Sequence, residues 1–239
     1  MTDVVTVRPD PDAWRALLRR ERVTFTVAPA VVVLAEAGTN ALGLVGPVVV
    51  AHALTLVAAF WLLAALGLRR NRLAQTLGDP ARAIRVSDAG VELPLLGLVP
   101  WDEVVAVHSV VDEGRIAAMA RSTGVRRIAE RWTVRLGSSN HLVFIGTADG
   151  PALRARAEPR RFRRWVRLWA RSGAPDFGQV QLACDTFYTP DAAAELDAAL
   201  RSAAAQRGLP ASRSTDLSEM GEFYRTNSRI PGFDGRTLG

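Results

Sequence analysis

From Leu42 to Leu68 the chain reads LGLVGPVVVAHALTLVAAFWLLAALGL, 27 residues without an Asp, Glu, Lys or Arg. About 20 apolar residues suffice for a helix to cross a bilayer, so the run is expected to span a membrane. Its 14 Leu, Val and Phe residues, at about −0.3 to −0.6 kcal/mol each, favour insertion by roughly 4 to 8 kcal/mol. His52 is its one ionisable group. A weaker apolar stretch, VTFTVAPAVVVLAEA from Val23 to Ala37, precedes it across the short polar turn Gly38–Asn40. Residues 23–68 are therefore expected to form a transmembrane helical hairpin, in which Pro29 and Pro47 are better tolerated than in water.

The flanks set the expected orientation. Arg15, Arg19, Arg20 and Arg22 precede the first run, and Arg69, Arg70 and Arg72 follow the second. Positive flanks stay inside, which places both termini in the cytoplasm of a multi-pass protein of the inner (cytoplasmic) cell membrane. Ala35-Glu36-Ala37 has the small-x-small form of a signal-peptide cleavage site, but 22 residues with arginines are long for such a leader. Glu36 and His52 lie about 15 Å of helix apart, too far to form an intramembrane ion pair. Residues 1–22 form the expected cytoplasmic N-terminal helix, with Asp10 as N-cap and Pro11 at its first position. Trp14, Leu17 and Leu18 share one face of it, which suits either an interfacial lead-in or a plain polar helix. Gly43, Gly46 and Ala51 offer small faces for helix contact, through which a homo-oligomer could form.

Beyond Arg72 the hydrophobic period changes from that of a helix to that of strands. AIRVS (Ala83–Ser87) and VEL (Val91–Leu93) flank the turn Asp88-Ala89-Gly90, a hairpin signal. Trp101–Val111 is rich in β-branched residues, and Trp132–Leu136, Leu142–Ile145 and Gln179–Cys184 add further strands. Thr189 and Pro190 open a helix that Gly208 and Pro210 stop. Residues 73–208 are expected to form the cytoplasmic domain, and 209–239 a flexible tail without periodicity.

The stretches IRVSDAGVELPLLGLVPWDEVVAV (Ile84–Val107) and CDTFYTPDAAAELDAAL (Cys184–Leu200) resemble bacterial membrane-attached PH-like domain proteins. The resemblance covers Val23 to Arg207. It implies a membrane α-helical hairpin plus an α+β domain, a PH-like antiparallel β-roll or barrel capped by a C-terminal helix. It also implies a binding or scaffolding module rather than an enzyme. PH domains commonly grip phosphates through the first hairpin loop, but here Ser87–Gly90 carries Asp88 and no arginine.

Chemistry-bearing motifs are sparse. There is no nucleophile elbow, Walker loop, dinucleotide fingerprint or H-E-x-x-H. His108 and His141 have no His or Cys partner at metal-ligand spacing, and the single cysteine, Cys184, excludes an internal disulfide. No cofactor, metal or catalytic residue is expected. Thirty basic residues, all arginine, give a net charge of +6, which suits anionic partners.

The densest basic run is EPRRFRRWVRLWARSG, Glu158–Gly173. Read as a helix, it sets Phe162, Trp165, Val166 and Trp169 on one face. Arg160, Arg161, Arg163, Arg164 and Arg167, with Trp165 and Trp169, would then contact the membrane surface and its anionic headgroups. In the other reading, the tryptophans pack on the sheet. A second basic stretch, Arg115–Arg131, reads as a long loop or partial helix. The expected partners are the lipid bilayer, anionic lipid headgroups or an unidentified protein. Nucleic-acid binding through the arginines, and a small-molecule enzyme or ligand sensor using a cavity of the β-domain, are the alternatives.

Overall fold

A computed structural model of the chain describes residues 4–16, 18–19, 76–124, 139–216, 219 and 233–238. Strands β1 (Val5–Val7), β2 (Ile84–Val86), β3 (Gly90–Leu93) and β4 (Gly97–Pro100) form an antiparallel sheet in that order. Alternation decides its faces. Val7, Ile84, Val86, Val91, Leu93 and Val99 are buried, while Thr6, Arg85, Glu92 and Leu98 point outward. Gly90 has φ +154°, and a Cβ there would lie 2.2 Å from the Val99 carbonyl oxygen, so the close approach of β4 admits only glycine.

The second sheet holds β5 (Val104–Val111), β6 (His141–Thr147), β7 (Val166–Arg171), β8 (Phe177–Ala183), β9 (Ala211–Ser214) and β10 (Phe233–Leu238). Its order is β10-β7-β8-β6-β5-β9, antiparallel except for the parallel pair β5 and β9. Four helices are described with it: α1 (Glu113–Arg121), α2 (Gly150–Arg156), α3 (Cys184–Phe187) and α4 (Pro190–Gln206). One face of this sheet, the inner face of the first sheet and α4 share a core that includes Leu93, Val107, Ile145, Val180, Leu196 and Leu200. The opposite face carries Ala106, Val110, Phe144, Trp169 and Phe177.

Four expectations change. Among the described residues no helix is long and apolar enough to cross a membrane. The longest, α4, has 17 residues, about 25 Å of rise, and carries Asp191, Glu195, Asp197 and Arg201. The structure thus gives no support to a multi-pass inner-membrane protein, and the hairpin expected over 23–68 lies outside the described residues. The expected β-roll or barrel is likewise corrected: among the described residues there are two separate sheets and no closed barrel. The physical reason lies in the edges, since β9 and β10 occupy both margins of the second sheet where closure would have to join it to the first. Those two strands come from 209–239, read from sequence as a tail, and β1 comes from the segment read as a helix. Residues 11–16 are helical, with the Asp10 carboxylate accepting from the Asp12 amide at 2.9 Å. The strand expected at Trp132–Leu136 lies outside the described residues.

Helix α4 starts where its capping chemistry places it. The Thr189 side chain accepts from the Ala192 amide at 3.3 Å, with Pro190 at the first position. Thr189→Ala is expected to cost about 1 kcal/mol, a fall of roughly 2 to 4 °C in melting temperature, while Thr189→Ser is expected to leave it unchanged. Equal melting by circular dichroism of all three proteins would remove the cap from the account.

Candidate functional site

The basic run Glu158–Gly173 folds as two elements rather than one helix. Residues Arg160–Trp165 form a 3-10 turn and Val166–Arg171 form β7. Positions three apart lie on one side of a helix but on opposite sides of a strand. Val166 therefore joins the core shared by the two sheets while Trp169 packs on the far face with Phe144 and Phe177. Trp165 and Trp169 are each 7% exposed. Their indole N–H groups are spent inside: Trp165 Nε1 donates to the Gln181 carbonyl at 2.9 Å, and Trp169 Nε1 to Gln179 Oε1 at 3.1 Å. The V-R-L-W-A-R alternation of β7 was the sequence signal for this strand, masked by a helical spacing in the same letters.

The arginines divide from the aromatics. Arg160, Arg161, Arg164 and Arg167 are exposed and Arg163 is half-buried. None of the five has a carboxylate within salt-bridge distance among the described residues. Phe162 lies inside, with the Arg161 guanidinium 5.0 Å over its ring. The turn is held from below by α2, where Arg154 Nε donates to the Arg163 carbonyl at 3.2 Å. Helix α2 itself is capped by Asp149, whose carboxylate accepts from the Ala152 amide at 2.9 Å. A ridge of guanidiniums thus stands on a rigid frame. Of the residues named from sequence, it brings together the five arginines and leaves out both tryptophans.

The titratable groups elsewhere are internal. His108, 2% exposed on β5, meets Ser212 Oγ at 2.6 Å through Nδ1 and Ser214 Oγ at 3.1 Å through Nε2. The imidazole thereby ties β9 to β5, and burial lowers its pKa to about 4. Asp197, 3% exposed on α4, receives Arg201 Nε at 2.8 Å and lies 3.6 Å from His141 Nε2. Burial pushes its carboxyl upward. Against that, the nearby His141 ring, the hydrogen bonds and charge of Arg201 and the nearby Ser109 side chain outweigh burial and hold it at about 2. Burial, with Asp197 and Asp185 nearby, pushes the Cys184 thiol far above its usual range, so it carries no thiolate at neutral pH. Asp185 accepts from Ser139 Oγ and, at 2.8 Å, from the Asn140 amide. Among the described residues no group of three His, Cys, Asp or Glu side chains could hold a metal ion. Sequence reasoning missed His108 as a strand clasp, because its partners come from a strand it read as tail.

No family model matches the chain, and neither the curated proteins nor the solved structures give a match.

Proposed function

We propose that the chain is a non-enzymatic binding domain that docks an acidic segment of a partner protein on the ridge Arg160–Arg167. The observation that carries this reading is four exposed guanidiniums, three on a turn locked by α2 and one on β7, with no described carboxylate within salt-bridge distance of them. A binding role is also what the resemblance of Ile84–Val107 and Cys184–Leu200 to PH-like domains implies. Arginine forks match carboxylates bidentately, and a partner that neutralises several at once is steered in by their field. An acidic protein suits the ridge better than single-stranded nucleic acid, because Phe162, Trp165 and Trp169 are buried and offer no ring for base stacking.

The test is fluorescence anisotropy of a labelled Glu/Asp-rich peptide with the full-length chain at rising salt. Binding is expected to weaken with salt, and Arg160→Glu/Arg164→Glu is expected to weaken it by about tenfold or more. Tighter binding to an RNA oligonucleotide of matched charge, or peptide binding indifferent to the double substitution, would overturn the reading.

A further inference from the structure

The outward face of the four-stranded sheet, which the arginine ridge does not include, carries an open groove of about 820 Å3. Small-molecule sites commonly have roughly 300–1,000 Å3. The paired residues Arg85 and Glu92 cross its floor on β2 and β3. Arg8, which follows β1, and Arg82, which precedes β2, line it beside the tight turn Pro94–Gly97, and Arg156 and Glu158 line it from the end of α2. In that turn Leu95 holds φ +72°, and its carbonyl accepts from the Glu158 amide at 3.0 Å, so the wall is fixed to the chain leaving α2.

The guanidiniums here are aligned but not used up. Arg85 Nη1 sits 3.3 Å from Glu92 Oε2, and Arg82 Nε 3.8 Å from Asp79 Oδ2. Arg156 Nη2 lies 2.6 Å from Glu103 Oε1 while its Nη1 donates to the Leu98 carbonyl at 3.4 Å. Arg8 is exposed and has no carboxylate within salt-bridge distance among the described residues. A guanidinium has five N–H donors in a planar fork. Each carboxylate here therefore engages a single edge of its arginine, and Arg82 and Arg85 keep further donors of the fork for another acceptor. Surface ion pairs of this kind contribute little in water, so an incoming oxyanion displaces nothing costly.

We propose that this groove is a binding site for a small organic polyanion carrying at least two phosphate or carboxylate groups, with Arg8, Arg82 and Arg85 as the forks that hold it. Bidentate acceptance by a fork is what both oxyanions share. Glu92 and Glu158 keep the site from filling with simple anions by offsetting part of its charge, so occupancy depends on several forks being met at once.

The experiment is isothermal titration of the full-length chain with inorganic pyrophosphate and, separately, with citrate at fixed ionic strength. Saturable binding is expected for at least one probe: pyrophosphate alone assigns phosphate esters, citrate alone assigns polycarboxylates, and both together assign the shared oxyanion chemistry. Arg8→Ala/Arg85→Ala is expected to weaken binding by at least about tenfold, and Arg8→Lys/Arg85→Lys by less, since lysine keeps the charge and loses the fork. Arg160→Ala/Arg164→Ala is expected to leave the affinity unchanged, which separates this site from the ridge. No saturable binding of either probe would overturn the proposal. So would binding that survives the Arg8 and Arg85 substitutions, or binding that the ridge substitutions abolish. Arg8 lies outside any strand, so Arg8→Ala alone remains a test should the double variant melt early.

Discussion

Gly178→Ala is expected to lower the melting temperature by about 10 °C. Gly178 lies in β8 directly under Gly150, the first residue of α2. A Cβ on Gly178 would stand 2.6 Å from Gly150 Cα and from Thr147 Oγ1. One on Gly150 would meet Gly178 Cα and N at 2.7 Å. Neither side can give way cheaply, because β8 is paired to β6 and β7 across this position and the Gly150 amide donates to the Asp176 carbonyl at 2.8 Å. Helix α2 must move off the sheet, at a cost of about 3 kcal/mol or more, or some 10 °C for a chain of this size. Gly97→Ala is the control: φ is +71° but nothing lies within 4 Å of the new methyl, so the cost is only the 1 to 2 kcal/mol or so of a left-handed residue. Because α2 holds the Arg163 carbonyl through Arg154, Gly178→Ala is also expected to loosen the arginine ridge and weaken peptide binding. If both variants melt alike, the helix does not depend on this contact.

Acid is expected to destabilise the fold in two steps. His108 has a folded pKa of about 4 against 6.5 when unperturbed. A lowered histidine is neutral in the native state while the unfolded chain already binds a proton, so stability is full above about pH 6.5 and falls as pH drops towards 4. Two and a half pK units correspond to about 3 kcal/mol. Asp197, at about 2 against 3.8, keeps its contribution above about pH 3.8 and loses it as pH falls through 2, a further 2 kcal/mol or so. Thermal unfolding between pH 7 and 4 measures the first step. In His108→Gln the slope across that window is expected to flatten, whatever the variant's stability at neutral pH. An unchanged slope would place the titrating group elsewhere.

Local chemistry was legible in the letters wherever neighbours in sequence carry it. Thr189, Pro190 and Gly208 bound α4 through groups a few residues apart. Ile84–Val86 and Gly90–Leu93 alternate around a short turn and pair as a hairpin. What could not be read were the elements whose evidence sits far along the chain. A three-residue strand such as Val5–Val7 has too few positions to show a period, and it forms because β2 offers an edge. Ala211–Ser214 has almost no hydrophobic signature and is a strand because His108 and the β5 edge bind Ser212 and Ser214.

The arginine ridge shows the same division. Its five charges in eight positions are a property of the sequence alone, and no fold could have buried so many guanidiniums without partners. Which way the aromatics face was decided only by tertiary structure. The spacing Phe162, Trp165, Val166, Trp169 satisfies a helix as well as any, and a strand formed at Val166 because β8 was there to pair with it and Gln179 and Gln181 were placed to take the indole protons. Backbone pairing between distant segments adds a hydrogen-bond ladder and two buried faces at once, and that sum exceeds the small preference any local period expresses.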